Sequence, residues 1–483
     1  MKKVSFVAFI WLLCSLLIFV QAKDLDQNIR KGLDSIDPMA AYNYVKKMCA
    51  PEYAGRHTGH DGYTKAAKWA AQKFKEWGLK TISEKDGYLQ PFPAPYVVVR
   101  KAEMTFYIHE DQKEQEIKLE VGKDFLPLLY SDSGSSAAEV VFAGWGVSAP
   151  DLGYDDYADL DVRGKFVLCF RGVPDRSEKG FQKHDEHRLR MKTAKGKGAL
   201  GLFYIYEEPI ANPNGDWIEG FTPAVISEEA ADILFKEKNI KVVDLKADLK
   251  KYKRPISFSL PSRAKFVVES QNYPNGVGYN VVGFVKGSDP QLRRECFVIG
   301  AHFDHCGQHA GLLFNGADDN ASGSAVVMEM AKAFSKLKRK PKRSVVFALF
   351  GGEEMGLKGS CHFADHVPKP FEKVDAMFNF DMVAEGDGVS CHYSGQPAEF
   401  QQTIKEANEN MGVMKASQVY SEPVEGSDHA PFYKKKIPAA SFYSTGPHLF
   451  YHQTGDTIYR INPDIMADIA KLAFLSAFEW ADR

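Results

Sequence analysis

The stretch from Phe297 to Glu354 constrains the fold of this chain more than any other. It contains two unbroken apolar runs, Phe297–Ile299 and Val345–Phe350, of the kind that form buried strands. Residues that can bind a cation follow each run, in the sequences HFDH and GGEE. Because open α/β sheets place their active sites at the carboxyl ends of their strands, this pattern predicts a site at one edge of such a sheet.

The 483 residues are more than one domain usually holds, so two domains are expected. A polar, Ser/Gly-rich segment near Ser131, SDSGSSAAE, is typical of a boundary, and short strands with many turns are predicted between Val140 and Lys250. After Pro261 longer elements return, and helix and strand alternate to the end. This alternation predicts an α/β fold with a largely parallel central sheet.

The first residues have the features of a secretory signal peptide. A short basic start precedes the apolar run Val4–Val20, and small residues before Lys23 suit cleavage after residue 22. The alternative is an uncleaved anchor, because the apolar run is long for a signal peptide. Cleavage would leave a mature chain with no transmembrane segment. We therefore expect export, as a secreted, periplasmic or cell-surface protein.

Net charge excludes one class of partner, since a formal charge of −2 provides no general basic field for nucleic acid or an anionic membrane. The cysteines show no metal-binding spacing. The six that follow the signal peptide are widely spaced and lack CxxC, which argues against a thiolate zinc site. His184 and His187 lie in a charged run, and a solvated face is expected there. Nothing in the sequence indicates an oligomeric state.

Of the candidate metal-binding segments, one follows a predicted strand and another precedes a predicted helix. His302 has Asp304 two residues on, and a neutral imidazole can bind zinc while its other nitrogen donates to a carboxylate. Asp319 lies in a turn before a predicted helix, among small residues that let a carboxylate reach a neighbouring loop. Capping that helix is the alternative role for an Asp or Asn, and Asn320 can fill it.

The remaining candidates are three carboxylates and a histidine. Glu353 and Glu354 follow a buried strand and two glycines, and of two adjacent carboxylates there, one must stay protonated unless cations lie nearby. Asp381 ends another apolar segment, and His452 lies in a loop rich in Gly, Thr and Asp. Two His and three carboxylates suffice for two zinc ions that share one carboxylate and a water. The spare Glu can then act as general base to that water.

These residues, in this order, resemble the secreted zinc-dependent exopeptidases of the bacterial leucyl-type aminopeptidase family, which share their fold with glutamate carboxypeptidase II and glutaminyl cyclase. The resemblance covers the chain from about Ala41 to the end. It implies a mixed, largely parallel central sheet with helices on both faces, two zinc ions, and peptide substrates with a free N-terminus. It also implies hydrolysis of the N-terminal peptide bond by a metal-bridging water.

The same resemblance assigns roles residue by residue. The positions that match the family's zinc ligands are His302, Asp319, Glu354, Asp381 and His452. Asp319 matches the ligand that bridges both ions, and Glu353 matches the general base. Asp304 matches the residue that orients a ligand from behind, and Tyr451 the residue that bonds the tetrahedral intermediate. The segment GSDHAPF, with Ser427, Asp428 and His429, also resembles the family in a supporting role.

The sequences VVFAGWGV and DDYADLDVRGKFVLCFRG resemble a β-rich protease-associated (PA) domain inserted into the catalytic domain of such enzymes. The predicted division is therefore a signal peptide at 1–22, the catalytic domain at 23–130 and 261–483, and the PA domain at 131–260. Three alternatives remain for the function. They are a carboxypeptidase of the glutamate carboxypeptidase type, which needs positive groups for a substrate carboxylate, a one-zinc glutaminyl cyclase, and a non-catalytic binding module.

Overall fold

The computed structural model describes residues 25–110, 113–213, 215–394, 397–411, 416–422 and 425–483. The predicted signal peptide at 1–22 lies outside these residues. In the described part, every helix is too short or too polar to span a bilayer.

Within the described residues, strands form two large sheets and two small hairpins. In chain order they are β1 (Lys80–Thr81), β2 (Leu89–Pro93), β3 (Tyr96–Glu110), β4 (Lys113–Lys118), β5 (Phe125–Pro127), β6 (Gly134–Ala143), β7 (Ser148–Ala149), β8 (Tyr154–Asp155), β9 (Phe166–Phe170), β10 (Gly201–Tyr206), β11 (Ala224–Ser227), β12 (Ser257–Tyr273), β13 (Val277–Val285), β14 (Glu295–His302), β15 (Gly307–His309), β16 (Leu312–Phe314), β17 (Ser344–Phe350), β18 (Lys373–Phe380), β19 (Gly388–Tyr393), β20 (Ala416–Tyr420) and β21 (Ala439–Ser444).

Helices cover both faces of the sheets. They are α1 (Gln27–Leu33), α2 (Pro38–Met48), α3 (Asp61–Glu76), α4 (Lys179–Gln182), α5 (His187–Gly196), α6 (Glu228–Phe235), α7 (Val242–Tyr252), α8 (Gly323–Lys336), α9 (Lys358–Asp365), α10 (Ala398–Met411), α11 (Ala430–Lys434) and α12 (Pro463–Ala481).

The first sheet has the strand order β1-β13-β17-β14-β18-β21-β19-β20, with β2 also paired to β13. Its centre is parallel, because β14 runs parallel to both β17 and β18, and β18 runs parallel to β21. Antiparallel pairs of β13 with β17 and of β19 with β21 flank this centre. The predicted mixed α/β architecture is confirmed.

Burial on both faces explains the unbroken apolar runs of this sheet. On β14, Phe297 and Ile299 point into the core that contains α8 and α12, whereas Val298 points into the core that contains α9 and α11. Side chains alternate between the faces of a strand, so a strand covered on both sides needs apolar residues at every position. Helix α3 ends at Glu76 and is followed by Gly78, which has φ +75°.

The second sheet has the order β4-β3-β12-β6-β9-β10-β11-β5. It takes β3, β4 and β5 from before residue 131 and most of β12 from after residue 260, so it extends across both predicted boundaries, and the division of the chain remains a prediction. Its core includes Cys306 and Phe314, which follow the first sheet's β14. The second sheet therefore packs directly beside the carboxyl end of β14.

The predicted solvated face at His184 and His187 is wrong, since both side chains are buried. His187 opens α5 and its Nε2 lies 3.4 Å from the hydroxyl of Tyr206 and 3.3 Å from Nδ2 of Asn212. Burial lowers the pKa of His187 to about 3, so it packs there as a neutral ring. The charged residues around His187 in the sequence suggested exposure, but the face of α5 that carries His187 is buried.

Candidate metal centre

Three adjacent parallel strands deliver polar side chains to one edge of the first sheet. His302 is the last residue of β14, Glu353 and Glu354 follow β17, and Asp381 follows β18. Because β17, β14 and β18 are neighbours in this order, their carboxyl ends meet at one place. Strand adjacency therefore brings together residues that are up to 79 positions apart in sequence.

A tight turn before α8 supplies Asp319. The main-chain N–H groups of Asp318 and Asp319 donate to the carboxylate of Asp456, at 2.8 and 3.0 Å, which fixes the turn. Asn320 accepts the N–H of Gly323 through Oδ1 at 2.9 Å, at the start of the helix. Asn320 therefore satisfies the helix end, and the carboxylate of Asp319 stays available for other partners.

Asp319 lies between the two histidines. Its Oδ1 is 3.2 Å from Nε2 of His302, and its Oδ2 is 3.2 Å from Nε2 of His452. One carboxylate thus presents a separate oxygen to each imidazole, although the histidines come from a strand end and a distant loop.

Glu354 and Asp381 complete two groups around these histidines. Oε2 of Glu354 is 3.1 Å from Nε2 of His452, and Oδ1 of Asp381 is 3.3 Å from Nε2 of His302. All five side chains are buried. Ligand atoms around a tetrahedral zinc at about 2.1 Å lie about 3.4 Å apart, so these N···O separations fit a zinc ion in each group.

The charges of the site call for cations. Burial would lower the pKa of His302 and His452, yet the surrounding carboxylates raise both well above the usual value. Burial would raise the pKa of Asp319, but the two histidines hold it well below its usual range. The Asp319 carboxylate is therefore stabilised in its charged form by neighbouring positive charge, which metal ions would supply in place of protons.

Glu353 differs from the ligand candidates. A carboxylate oxygen of Glu353 lies within 4.8 Å of ligand atoms of His302 and Glu354. Burial raises the pKa of Glu353 well above the usual value. The charge of Glu354 adds to this rise, and the charge of His302 opposes it. A carboxyl group with a raised pKa at the edge of a metal site has the proton affinity that a general base needs.

Asp304 lies behind His302. Its main-chain oxygen is 3.2 Å and its Oδ1 is 3.9 Å from Nδ1 of His302, so the main-chain oxygen is the closer acceptor. The same Oδ1 accepts the N–H of Glu353 at 3.2 Å. Burial raises the pKa of Asp304 to about 7. Asp304 thus connects the segment that follows β14 to the segment that follows β17.

Tyr451 covers the outer side of the site. Tyr451 is 47% exposed as a residue, and its ring stacks on His452 with centroids 3.8 Å apart. Burial of the hydroxyl, together with the charges of Asp319 and Glu354, raises the pKa of Tyr451 well above its usual value. In the GSDHAPF segment, Asp428 is fully buried and its pKa is raised to about 7 by burial.

Sequence reasoning missed two residues of this site. His305 reaches Glu354, with Nδ1 2.8 Å from Oε1, and Asp456 holds the Asp319 turn. The only signal for His305 was its place three residues after His302 in HFDHCGQ.

Residues 280–477 match Peptidase family M28. Aminopeptidase YwaD of Bacillus subtilis (strain 168) is 26% identical over 375 residues, which are 74% of this chain and 71% of the relative. Two solved structures share the fold. A zinc aminopeptidase from Bacillus subtilis has a TM-score of 0.64 at 20% identity over 93% of this chain and 96% of its own. The Peptidase M28 precursor from Shewanella amazonensis SB2B has a TM-score of 0.68 at 20% identity, over 94% and 96%.

The family match lies on the part of the chain that carries the first sheet from β13 onward and all five ligand candidates. The relatives extend the likeness across the second sheet as well. On these grounds, the protein is an enzyme, a peptidase whose residues 280–477 match peptidase family M28 and whose chain is similar to an aminopeptidase over most of its length.

Proposed function

We propose that the protein is a two-zinc aminopeptidase that hydrolyses the N-terminal peptide bond of peptides. The supporting observation is the position of Asp319, whose two carboxylate oxygens each face a different histidine at 3.2 Å. One ion would be held by His302, Asp319 and Asp381, and a second by Asp319, Glu354 and His452. We call these the first and the second metal position.

The chain's own residues would carry the proton and the charge. Two bound zinc ions would supply Lewis-acid polarisation of a carbonyl and of a water. Glu353 accepts the proton of the attacking water and delivers it to the leaving amine. Tyr451 donates its hydroxyl hydrogen to the oxyanion that develops. The carboxylates of the site make it suitable for the free α-amino group of a peptide.

A carboxypeptidase is the second candidate, because a positive group lies near the Glu353–Glu354 loop. A Cβ placed on Gly356 would be 3.5 Å from an Nη of Arg188, which comes from the second sheet's part of the chain. That guanidinium is, however, paired with Asp216 at 3.0 Å. The pairing reduces its value for a substrate carboxylate, and the aminopeptidase remains the better-supported function.

Two further features belong to this proposal. The apolar start of the chain supports export through a signal peptide. The region 131–260 would be an inserted PA domain, and a domain beside the metal edge can restrict access to short or flexible chain ends. We expect folded proteins to be poor substrates.

The test is the zinc content of purified protein together with hydrolysis of a leucyl chromogenic substrate. About two zinc ions per chain, and loss of activity on their removal, are expected. Activity that persists after exhaustive metal removal contradicts the proposal. One ion per chain with cyclisation of N-terminal glutamine would indicate a glutaminyl cyclase, and zinc without hydrolysis a binding module.

A further inference from the structure

His305 contacts a ligand candidate but has no role in the proposed reaction. It is fully buried, and its Nδ1 lies 2.8 Å from Oε1 of Glu354. The other oxygen of Glu354, Oε2, lies 3.1 Å from Nε2 of His452. The Glu354 carboxylate is therefore held between two imidazoles, with one oxygen toward each. His305 Nδ1 is also 3.9 Å from Oδ2 of Asp319, outside hydrogen-bond distance.

The surrounding backbone is shaped to hold this ring. A Cβ on Gly316 would lie 2.4 Å from Cγ of His305, and Gly316 has φ +58°, so only glycine leaves room there. The buried guanidinium of Arg56 donates to the carbonyls of Phe303 and Gly316, at 2.9 and 2.8 Å. These bonds tie the segment before His305 to the segment that packs on its ring.

The two nitrogens of His305 have different surroundings. A carboxylate only accepts hydrogen bonds, so the contact with Glu354 requires a proton on Nδ1. Nε2 is buried and has no hydrogen-bond partner among the described residues. If Nδ1 bound a metal directly, Nε2 would carry the proton as a buried donor without an acceptor, which is costly. The surroundings therefore favour Nδ1–H as a donor to Glu354.

The neighbouring thiol is not a competing ligand. Cys306 lies close enough to Glu354 and His452 to share a metal with them. Its Sγ donates to the carbonyl of Ala211 at 3.7 Å, so the thiol has a hydrogen-bond partner of its own.

We propose that His305 is a positioning residue for the second metal position. Its Nδ1–H holds Oε1 of Glu354 and so leaves Oε2 on the side of His452 and Asp319. This inference rests on the proposed function, because it assumes that Glu354 binds zinc. Residues that orient metal ligands in this way typically change metal affinity about 10–100-fold when they are replaced.

Two variants of the full chain separate positioning from direct ligation. In His305→Asn the amide nitrogen takes the place of Nδ1 and can still donate to Glu354. In His305→Phe a ring remains but no donor does. The measurement is the dissociation constant of each zinc ion, by titration of metal-free protein in competition with a chromogenic chelator. We expect wild type and His305→Asn to agree within about 3-fold, and His305→Phe to bind one ion about 10–100-fold more weakly.

Two outcomes overturn the proposal. Equal zinc affinities in His305→Phe and wild type would remove any role toward the metal. Equally weak binding in both variants would mean that the nitrogen of His305 ligates zinc itself. If circular dichroism shows that His305→Phe does not fold, His305→Ser replaces it, since its hydroxyl is too short to reach Oε1. Wild-type protein that binds no zinc would overturn the proposed function itself, an outcome distinct from either variant result.

Discussion

The main-chain N–H of Ala211 donates a hydrogen bond of 2.9 Å to the carbonyl oxygen of His452. Ala211 follows β10 of the second sheet, whereas His452 is a ligand candidate of the first sheet's metal edge. Beside this bond, Gln453 donates through Nε2 to Oε2 of Glu208 at 3.1 Å. His452 has φ +55°, a conformation that is unfavourable for a residue with a side chain and that surrounding contacts must hold. The second sheet's segment therefore supports a metal ligand.

Ala211→Pro tests this support, because proline removes the N–H that donates to His452, while its ring also fixes φ of residue 211 near about −65°. With the bond lost, we expect the second metal position to bind zinc about 10-fold more weakly, in the range for residues that orient ligands. Ala211→Ser keeps the N–H and is the matched control. The measurement is zinc dissociation by competition, beside the thermal unfolding of the metal-free proteins. Unchanged zinc affinity in a folded Ala211→Pro protein would show that the bond does not hold His452.

Stability should depend on pH through His448. Its Nδ1 lies 2.6 Å from Oδ2 of Asp318, and its main-chain N–H donates to Glu385 at 2.9 Å. Burial opposes protonation, but the two carboxylates prevail and raise the pKa of His448 to about 9. A folded-state pKa above the unfolded value, near 6.5, stabilises the fold fully below pH 6.5, and this contribution is lost as pH rises through 9.

The whole contribution should not exceed about 3.5 kcal/mol, because the pKa of His448 rises from 6.5 to about 9 and each pH unit corresponds to about 1.4 kcal/mol. His448→Gln keeps hydrogen-bonding capacity but cannot gain the proton. The free energy of unfolding of metal-free protein should therefore differ more between wild type and His448→Gln at pH 6 than at pH 9. Urea unfolding at both pH values measures this difference, in which other titrating groups largely cancel. A difference of the same size at both values would exclude the proposed protonation.

Much of the first sheet was predictable because strands that are buried on both faces have unbroken runs of apolar residues. Phe297–Ile299 and Val345–Phe350 lie within β14 and β17. The second sheet was harder to predict from the sequence. Its strand β12 runs from Ser257 to Tyr273 and contains Pro261, a residue that suggested a break between elements. The structure accommodates this proline at an irregularity of the register between Ser259 and Arg263. A bulge tolerates a residue without an N–H, and sequence patterns do not reveal it.

The meeting of candidate side chains was predictable where they lie at or just after the end of a strand, as those of His302, Glu354 and Asp381 do. His305 was not, because its partner Glu354 is 49 residues away and the contact depends on the strand order β17-β14. Asp456 was not either, since it acts by accepting N–H groups of Asp318 and Asp319 that converge only in the folded turn. The roles of the site residues remain predictions.

The ends of the substrate should separate the two candidate exopeptidase functions. An aminopeptidase must recognise a free amine, so acetylation of a peptide's N-terminus should abolish cleavage. Amidation of the C-terminus should change kcat/KM little, because the Arg188 guanidinium is already paired with Asp216. Product analysis of four peptides, unmodified, acetylated, amidated and doubly modified, makes this measurement. Cleavage that survives acetylation and fails on amidation would instead support the carboxypeptidase.

Glu353 and Glu354 are neighbours of one residue type, and their surroundings predict different losses. Glu353→Gln keeps the shape of the side chain but cannot take the proton of the attacking water, so kcat should fall at least about 10²–10⁴-fold while zinc content stays normal. Glu354 contacts His452 and His305, at 3.1 and 2.8 Å. Glu354→Gln should therefore lose zinc, since an amide is a poorer ligand than a carboxylate, and excess zinc should restore part of its activity. Metal content measured beside kcat distinguishes the two. Zinc loss in Glu353→Gln with both ions retained in Glu354→Gln would reverse these assignments.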